Sequence, residues 1–89
     1  MLDLVKGALR VTTDAPAIIS EVENLIESAK LDLKIAGVSV DENDPLIQRA
    51  IITYCKANFG YDNPEAERFE RSYVMLKQHL SLSGDYRET

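Results

Sequence analysis

Residues 44–60, DPLIQRAIITYCKANFG, constrain the fold more than any other stretch of the chain. Asp44 can accept an orphan backbone N–H as a helix cap, and Pro45 stands at the first helical position, where no donor is needed. Gly60 closes the stretch as the left-handed residue past a helix end. On a wheel of about 100° per residue, Leu46, Ile47, Ala50, Ile51, Ile52, Tyr54, Cys55, Ala57 and Phe59 cover an arc of roughly 240°. Arg49, Thr53 and Lys56 fill the remaining sector, and Gln48 interrupts the apolar side. A surface helix of a monomer carries a much narrower stripe. This one is therefore expected to lie among the other helices of the chain or to be covered in part by another subunit.

The other helices follow from the same grammar. Leu2, Val5 and Leu9, with Ala8 beside them, make a short apolar stripe, weakened by Gly7. Thr12, Thr13 and Asp14 break the chain, and Pro16 opens a second helix. In it Ile18, Val22, Leu25, Ile26, Ala29, Leu33 and Ala36 share an arc of about 100°, with Glu21, Glu23, Glu27, Lys30 and Lys34 outside. Gly37 ends it at a position that wants positive φ. Val38 to Val40 alternate like a strand but are at best a short extended link, or one edge of a small pairing with another chain, and read as loop. Tyr61 and Asp62 turn the chain, and Asn63 with Pro64 repeat the cap-then-proline start. Ala66, Phe69, Tyr73, Leu76 and Leu80 then form a seam suited to antiparallel packing on the central helix. The fold class is all-α, a bundle of about four helices near 2–10, 15–36, 45–59 and 64–82. Residues 1–83 form one domain, and residues 84–89, SGDYRET without its first serine, form a polar tail expected to fray in an isolated monomer.

Composition narrows the function. Eighty-nine residues suit one domain that buries about two thirds of its unfolded surface. Ten Lys and Arg against 15 Asp and Glu give a net charge of −5, which opposes non-specific attraction to phosphate backbones or anionic lipid. No stretch approaches the roughly 20 apolar residues of a membrane span, and a soluble, cytosolic chain is expected when it is made. One histidine, His79, and one cysteine, Cys55, supply neither a zinc ligand set nor a nucleophile with its base. Asp41 to Asp44 resembles the opening of a calcium loop, but Leu46 and Ile52 stand where its glycine and glutamate belong. No catalytic, cofactor-binding or metal-binding residue is assigned, and an enzyme is not expected. An acyl-carrier domain would need a serine in an Asp-Ser-Leu setting at a helix start, where this chain has DAPAII, NDPLIQ and DNPEAE. A helix-turn-helix reader would need an outward basic face that the central helix lacks.

The order LDLVKGALRVTTDA, a long amphipathic helix ending DLKIAGV, DPLIQRAIITYCKANFG and ERFERSYVMLKQHLS resembles the head-tail connector family of tailed bacteriophages. These are also called head-completion or adaptor proteins and are often labelled as DNA-packaging proteins. The resemblance spans Leu2 to about Ser81 and rests on order and spacing rather than on one strict motif. It implies a structural virion protein that forms a ring, dodecameric by family resemblance, below the portal protein. Such a ring prolongs the DNA channel without binding DNA specifically and docks stopper or tail-completion proteins. It implies location at the head-tail interface of the virion, after assembly in the host cytoplasm, and no membrane partner.

Residues that leave or extend their helix's core-facing stripe are the expected subunit or partner contacts: Leu31, Ile52, Phe59, Met75 and Leu82, with Tyr86 and Arg87 in the tail; Met75 and Leu82, which lie together on one side of the last helix, are equally suited to covering the first helix. The alternative reading is a monomeric acidic helical module that binds one protein partner.

Overall fold

The computed structural model describes residues 1–60 and 62–87. Its four helices are α1 (Leu2–Leu9), α2 (Pro16–Ile35), α3 (Pro45–Asn58) and α4 (Ala66–Leu82), an all-α bundle as expected. The central helix starts where its cap predicts. Asp44 Oδ1 accepts the amides of Leu46 at 2.8 Å and Ile47 at 3.4 Å, satisfying two of the donors a helix start leaves open. Gly37 and Gly60 follow α2 and α3 with φ of 84° and 77°, the left-handed conformation expected of them. Arg10 takes the same conformation past α1, at φ 59°, so α1 ends one residue earlier than expected.

The last helix also starts later than expected. Asn63 Oδ1 accepts the Glu65 amide at 3.0 Å, but residues 64–65 form a turn and regular helix begins at Ala66. Asn63 is still an anchor, because its Nδ2 donates to the Lys56 carbonyl at 2.7 Å and ties the turn to the end of α3. Tyr61, read from sequence as part of this turn, lies outside the described residues, as do Glu88 and Thr89 of the tail.

Helix directions follow from four contacts. Tyr54 packs edge-on against Tyr73 with ring centroids 5.1 Å apart, and Lys56 Nζ lies 5.5 Å from the Phe69 ring centroid. Residue numbers thus rise along α3 as they fall along α4, which makes the pair antiparallel. Beyond the helix ends, Val38 forms an isolated antiparallel bridge with Arg87, and the Ser39 amide donates to the Tyr86 carbonyl at 2.7 Å. The C-terminal ends of α2 and α4 therefore meet at one end of the bundle, so these two helices run in the same direction. The segment 38–40 is a link and not a strand, but its pairing lies within this chain.

Helix α3 lies against α4, α2 and α1, and these neighbours take up much of its broad apolar arc. Ile47, Ala50, Ile51 and Cys55 are fully buried, as are Val5 of α1, Val22, Ala29 and Leu33 of α2, and Val38 of the link; Tyr73 and Leu80 of α4 are nearly so. Each large aliphatic side chain in this set contributes about 1.5–3 kcal/mol by leaving water. No polar or charged residue is buried, and no buried side-chain nitrogen or oxygen lacks a partner among the described residues.

Candidate functional site

The outward faces of α2 and α4 hold the surface features that the core leaves unexplained. On α2, the core-facing Val22, Ile26, Ala29 and Leu33 cluster within about 60° of the wheel, and Leu31 and Ile35 lie roughly 150–170° from that cluster's centre. Leu31 is 59% exposed and Ile35 is 85% exposed. On α4, Met75 and Leu82 stand about 180–200° from the buried Tyr73. They are 60% and 82% exposed. Isolated surface leucines are ordinary, but four long apolar side chains standing opposite the core on the same two helices form a pattern that calls for a cover.

The contact residues expected from sequence divide between surface and interior. Leu31, Met75 and Leu82 are exposed. Ile52 and Phe59 are half-buried and pack against the core. Ile52 borders a shallow depression with Leu4, Gln48 and Arg49, and Phe59 borders another with Leu9, Lys56 and Phe69. Tyr86 is half-buried, and its hydroxyl donates to Asp44 Oδ1 at 3.1 Å, on the cap of α3. Arg87 is exposed beside Val38. Residues 84–87 thus lie folded against the loop that precedes α3, where the sequence alone suggested a tail loose from the body. Ile35, the most exposed of the large apolar residues, was missed in the sequence. Its signal was its place one turn beyond Leu31 on the side facing away from the stripe. Leu4 and Leu46, also exposed, gave no such signal.

One polar cluster fixes α2 against α4. Asp32 Oδ2 accepts the Tyr73 hydroxyl at 2.5 Å and the Lys77 ammonium at 2.9 Å. Burial opposes ionisation of Asp32, but these two donors outweigh it and hold the carboxyl below its ordinary range. Burial, reinforced by the Asp32 carboxylate, pushes the Tyr73 hydroxyl well above the usual tyrosine range. The ammonium of Lys77 also sits 5.3 Å from the Tyr73 ring centroid. This cluster has the character of a structural clamp: each group is matched by its neighbours.

Other titratable groups are accounted for by local structure. Asp41 Oδ1 accepts the Asn43 amide at 3.0 Å and Asp44 caps α3, so capping and turn formation employ the acids of the calcium-like segment. Cys55 is a free thiol with no exposed surface, and burial pushes its pKa up to about 12. Among the described residues no group of three or more His, Cys, Asp or Glu is placed to hold a metal ion, and no helix is long and apolar enough to cross a membrane.

An apolar four-helix core with several long apolar side chains left outside it defines a small all-α protein. The sequence matches the phage connector protein family over residues 1–87, and the chain belongs to that family. No curated protein and no solved structure matches it. Membership makes the chain a structural connector protein of a bacteriophage virion, one that meets other head and tail proteins.

Proposed function

We propose that the chain assembles as a ring beneath the portal of a DNA-filled capsid, prolongs the DNA channel and offers a docking surface to stopper or tail-completion proteins. The observation that carries this reading is the family match across residues 1–87, nearly the whole chain. The exposed apolar residues of α2 and α4 support it, since a subunit whose own core is complete still presents side chains that neighbours can cover. The net charge of −5 supports it as well: an acidic wall repels the phosphate backbone and lets DNA pass without adhering. In this role the chain is a non-catalytic subunit that takes its copy number, twelve by family resemblance, from the portal. Subunits wait in the host cytoplasm until filled heads are ready. The segment after Gly84 lies on the portal side.

The test is co-sedimentation of the purified protein with cognate portal rings or with DNA-filled, tailless capsids, followed by electron microscopy. A symmetric ring of added density below the portal is the expected result. A protein that stays monomeric at high concentration and binds no cognate portal would instead be a module for a single protein partner.

A further inference from the structure

The Asp32 clamp fixes more than the packing of two helices; it sets their relative height. Asp32 of α2 bonds Tyr73 and Lys77 of α4, so residue 32 stands level with the turn around residue 75. The two helices run in the same direction, because Val38 and Arg87 join their C-terminal ends. Level positions on α2 and α4 near this clamp therefore differ by about 43 in number, at about 1.5 Å of rise per residue in both.

That offset aligns the outer strips of the two helices. Glu27 and Leu31 on α2 come within about one residue of level with Arg71 and Met75 on α4, and Ile35 lies within about a turn of Leu82. The Glu27 side chain is 69% exposed, and its ion-pair partner within the subunit, Lys30, is shared with Glu42. Arg71 is exposed and has no ion-pair partner among the described residues. Each strip thus carries a charge and then, one turn further on, an apolar side chain. The charges are of opposite sign. The strips point away from the core on the two helices that flank α3, so one subunit cannot bring its own pair together.

We propose that the next copy of this chain covers each strip: the outer face of α2 in one subunit packs against the outer face of α4 in its neighbour, with Glu27 beside Arg71 and Leu31 beside Met75. The inference rests on the ring reading and specifies its interface. The contact requires a ring axis running along the helices, since rotation about such an axis moves no residue up or down and keeps strips that are level within one subunit level between neighbours. Two different faces meet, so the contact is head-to-tail, and it gives a ring where the rotation closes, which the portal's symmetry enforces, instead of an open filament. A seam from Arg71 to Leu82 is about 17 Å long and roughly 10 Å wide. It covers far less than the ~800 Å² per partner of a stable pair, so isolated pairs are short-lived and the portal supplies the template.

The experiment mixes Leu31→Cys and Met75→Cys chains, one of them isotopically heavy, on purified cognate portal rings, and adds a short bismaleimide. Both positions are exposed, circular dichroism reports the fold of each variant, and the wild-type chain controls for the buried Cys55. The expected product is a cross-linked dimer with one heavy and one light chain, several-fold above either variant alone. Arg71→Glu should lower its yield, and Glu27→Arg in the partner chain should restore it. A ring seen on the portal without the mixed product overturns the interface and leaves the ring reading intact. Like-with-like dimers as the main product overturn it too, since they require a two-fold contact. Absence of any portal-bound chain overturns both.

Discussion

Tyr73 donates its hydroxyl to Asp32 at 2.5 Å, from a side chain that is 1% exposed to a carboxylate on a helix 41 residues earlier in the chain. Tyr73→Phe removes this bond and leaves Asp32 with Lys77, at an expected cost of about 1 kcal/mol. Asp32→Ala leaves the tyrosine hydroxyl buried without a partner and should cost more, about 1–3 kcal/mol. Urea denaturation of both variants checks the order. A larger loss in the tyrosine variant would contradict the clamp.

The same pair sets a pH dependence at both ends. Asp32 titrates below its ordinary value in the folded state, so its contribution is present above the unfolded carboxylate pKa of about 4 and is lost as pH falls through the depressed folded value. Tyr73 titrates above its ordinary value, so its contribution is complete below about pH 10 and erodes as pH rises toward the raised folded value. Melting temperature against pH should fall at both extremes. In Tyr73→Phe the alkaline fall should shrink, and an unchanged alkaline limb would remove Tyr73 as its source.

Asp44 serves the start of α3 and the C-terminal segment with one oxygen. Asp44→Ala should cost about 1 kcal/mol as a lost cap. Tyr86→Phe keeps the cap and frees only the hydroxyl. In both variants the Ser39 amide, which donates to the Tyr86 carbonyl, should exchange faster with solvent deuterium, while amides in the middle of α3 stay protected in the tyrosine variant. Equal protection of Ser39 in wild type and Tyr86→Phe would show that the hydroxyl does not hold the segment.

Cys55 should be silent toward thiol reagents in the folded protein, because it has no exposed surface and its thiolate is disfavoured. Labelling with an aromatic disulfide should track the fraction unfolded as urea is raised. Rapid labelling in buffer alone would place the thiol elsewhere.

Two leucines offer a contrast in burial. Leu33→Ala empties a fully buried position and should cost about 2–5 kcal/mol. Leu82→Ser changes a side chain that is 82% exposed and should alter monomer stability by no more than about 0.5 kcal/mol. Matched urea curves decide it; a destabilised Leu82 variant would mean that this residue belongs to the monomer's own core.

The helices were legible in the sequence because their signals are local. Asp44, Pro45 and Gly60 bound α3, and Pro16 and Gly37 bound α2, each through backbone chemistry that acts over a few residues. The start of α4 was less legible, since Asn63 and Pro64 satisfy a turn before they satisfy a helix. Contacts between distant segments left no such trace. A polar stretch such as Ser83 to Arg87 carries no sign that its tyrosine will meet an aspartate 42 residues earlier. The wide arc of α3 is consistent with neighbours inside the chain or outside it, and it places Ile52 and Phe59 among the expected subunit contacts. The packing of α1, α2 and α4 around α3 takes up much of that arc. The outward apolar pairs were half legible: Leu31, Met75 and Leu82 broke their stripes visibly, but Ile35 became notable only once α2 had a definite outer side.

The docking of Tyr86 on Asp44 has a kinetic consequence. Neighbouring helices in this bundle are joined by short loops and can form early, whereas a link spanning 42 residues must wait until the ends of a long loop have been brought together. The latch between segment and cap is thus expected to close after the rate-limiting step, and weakening it should quicken unfolding while leaving the refolding rate almost unchanged.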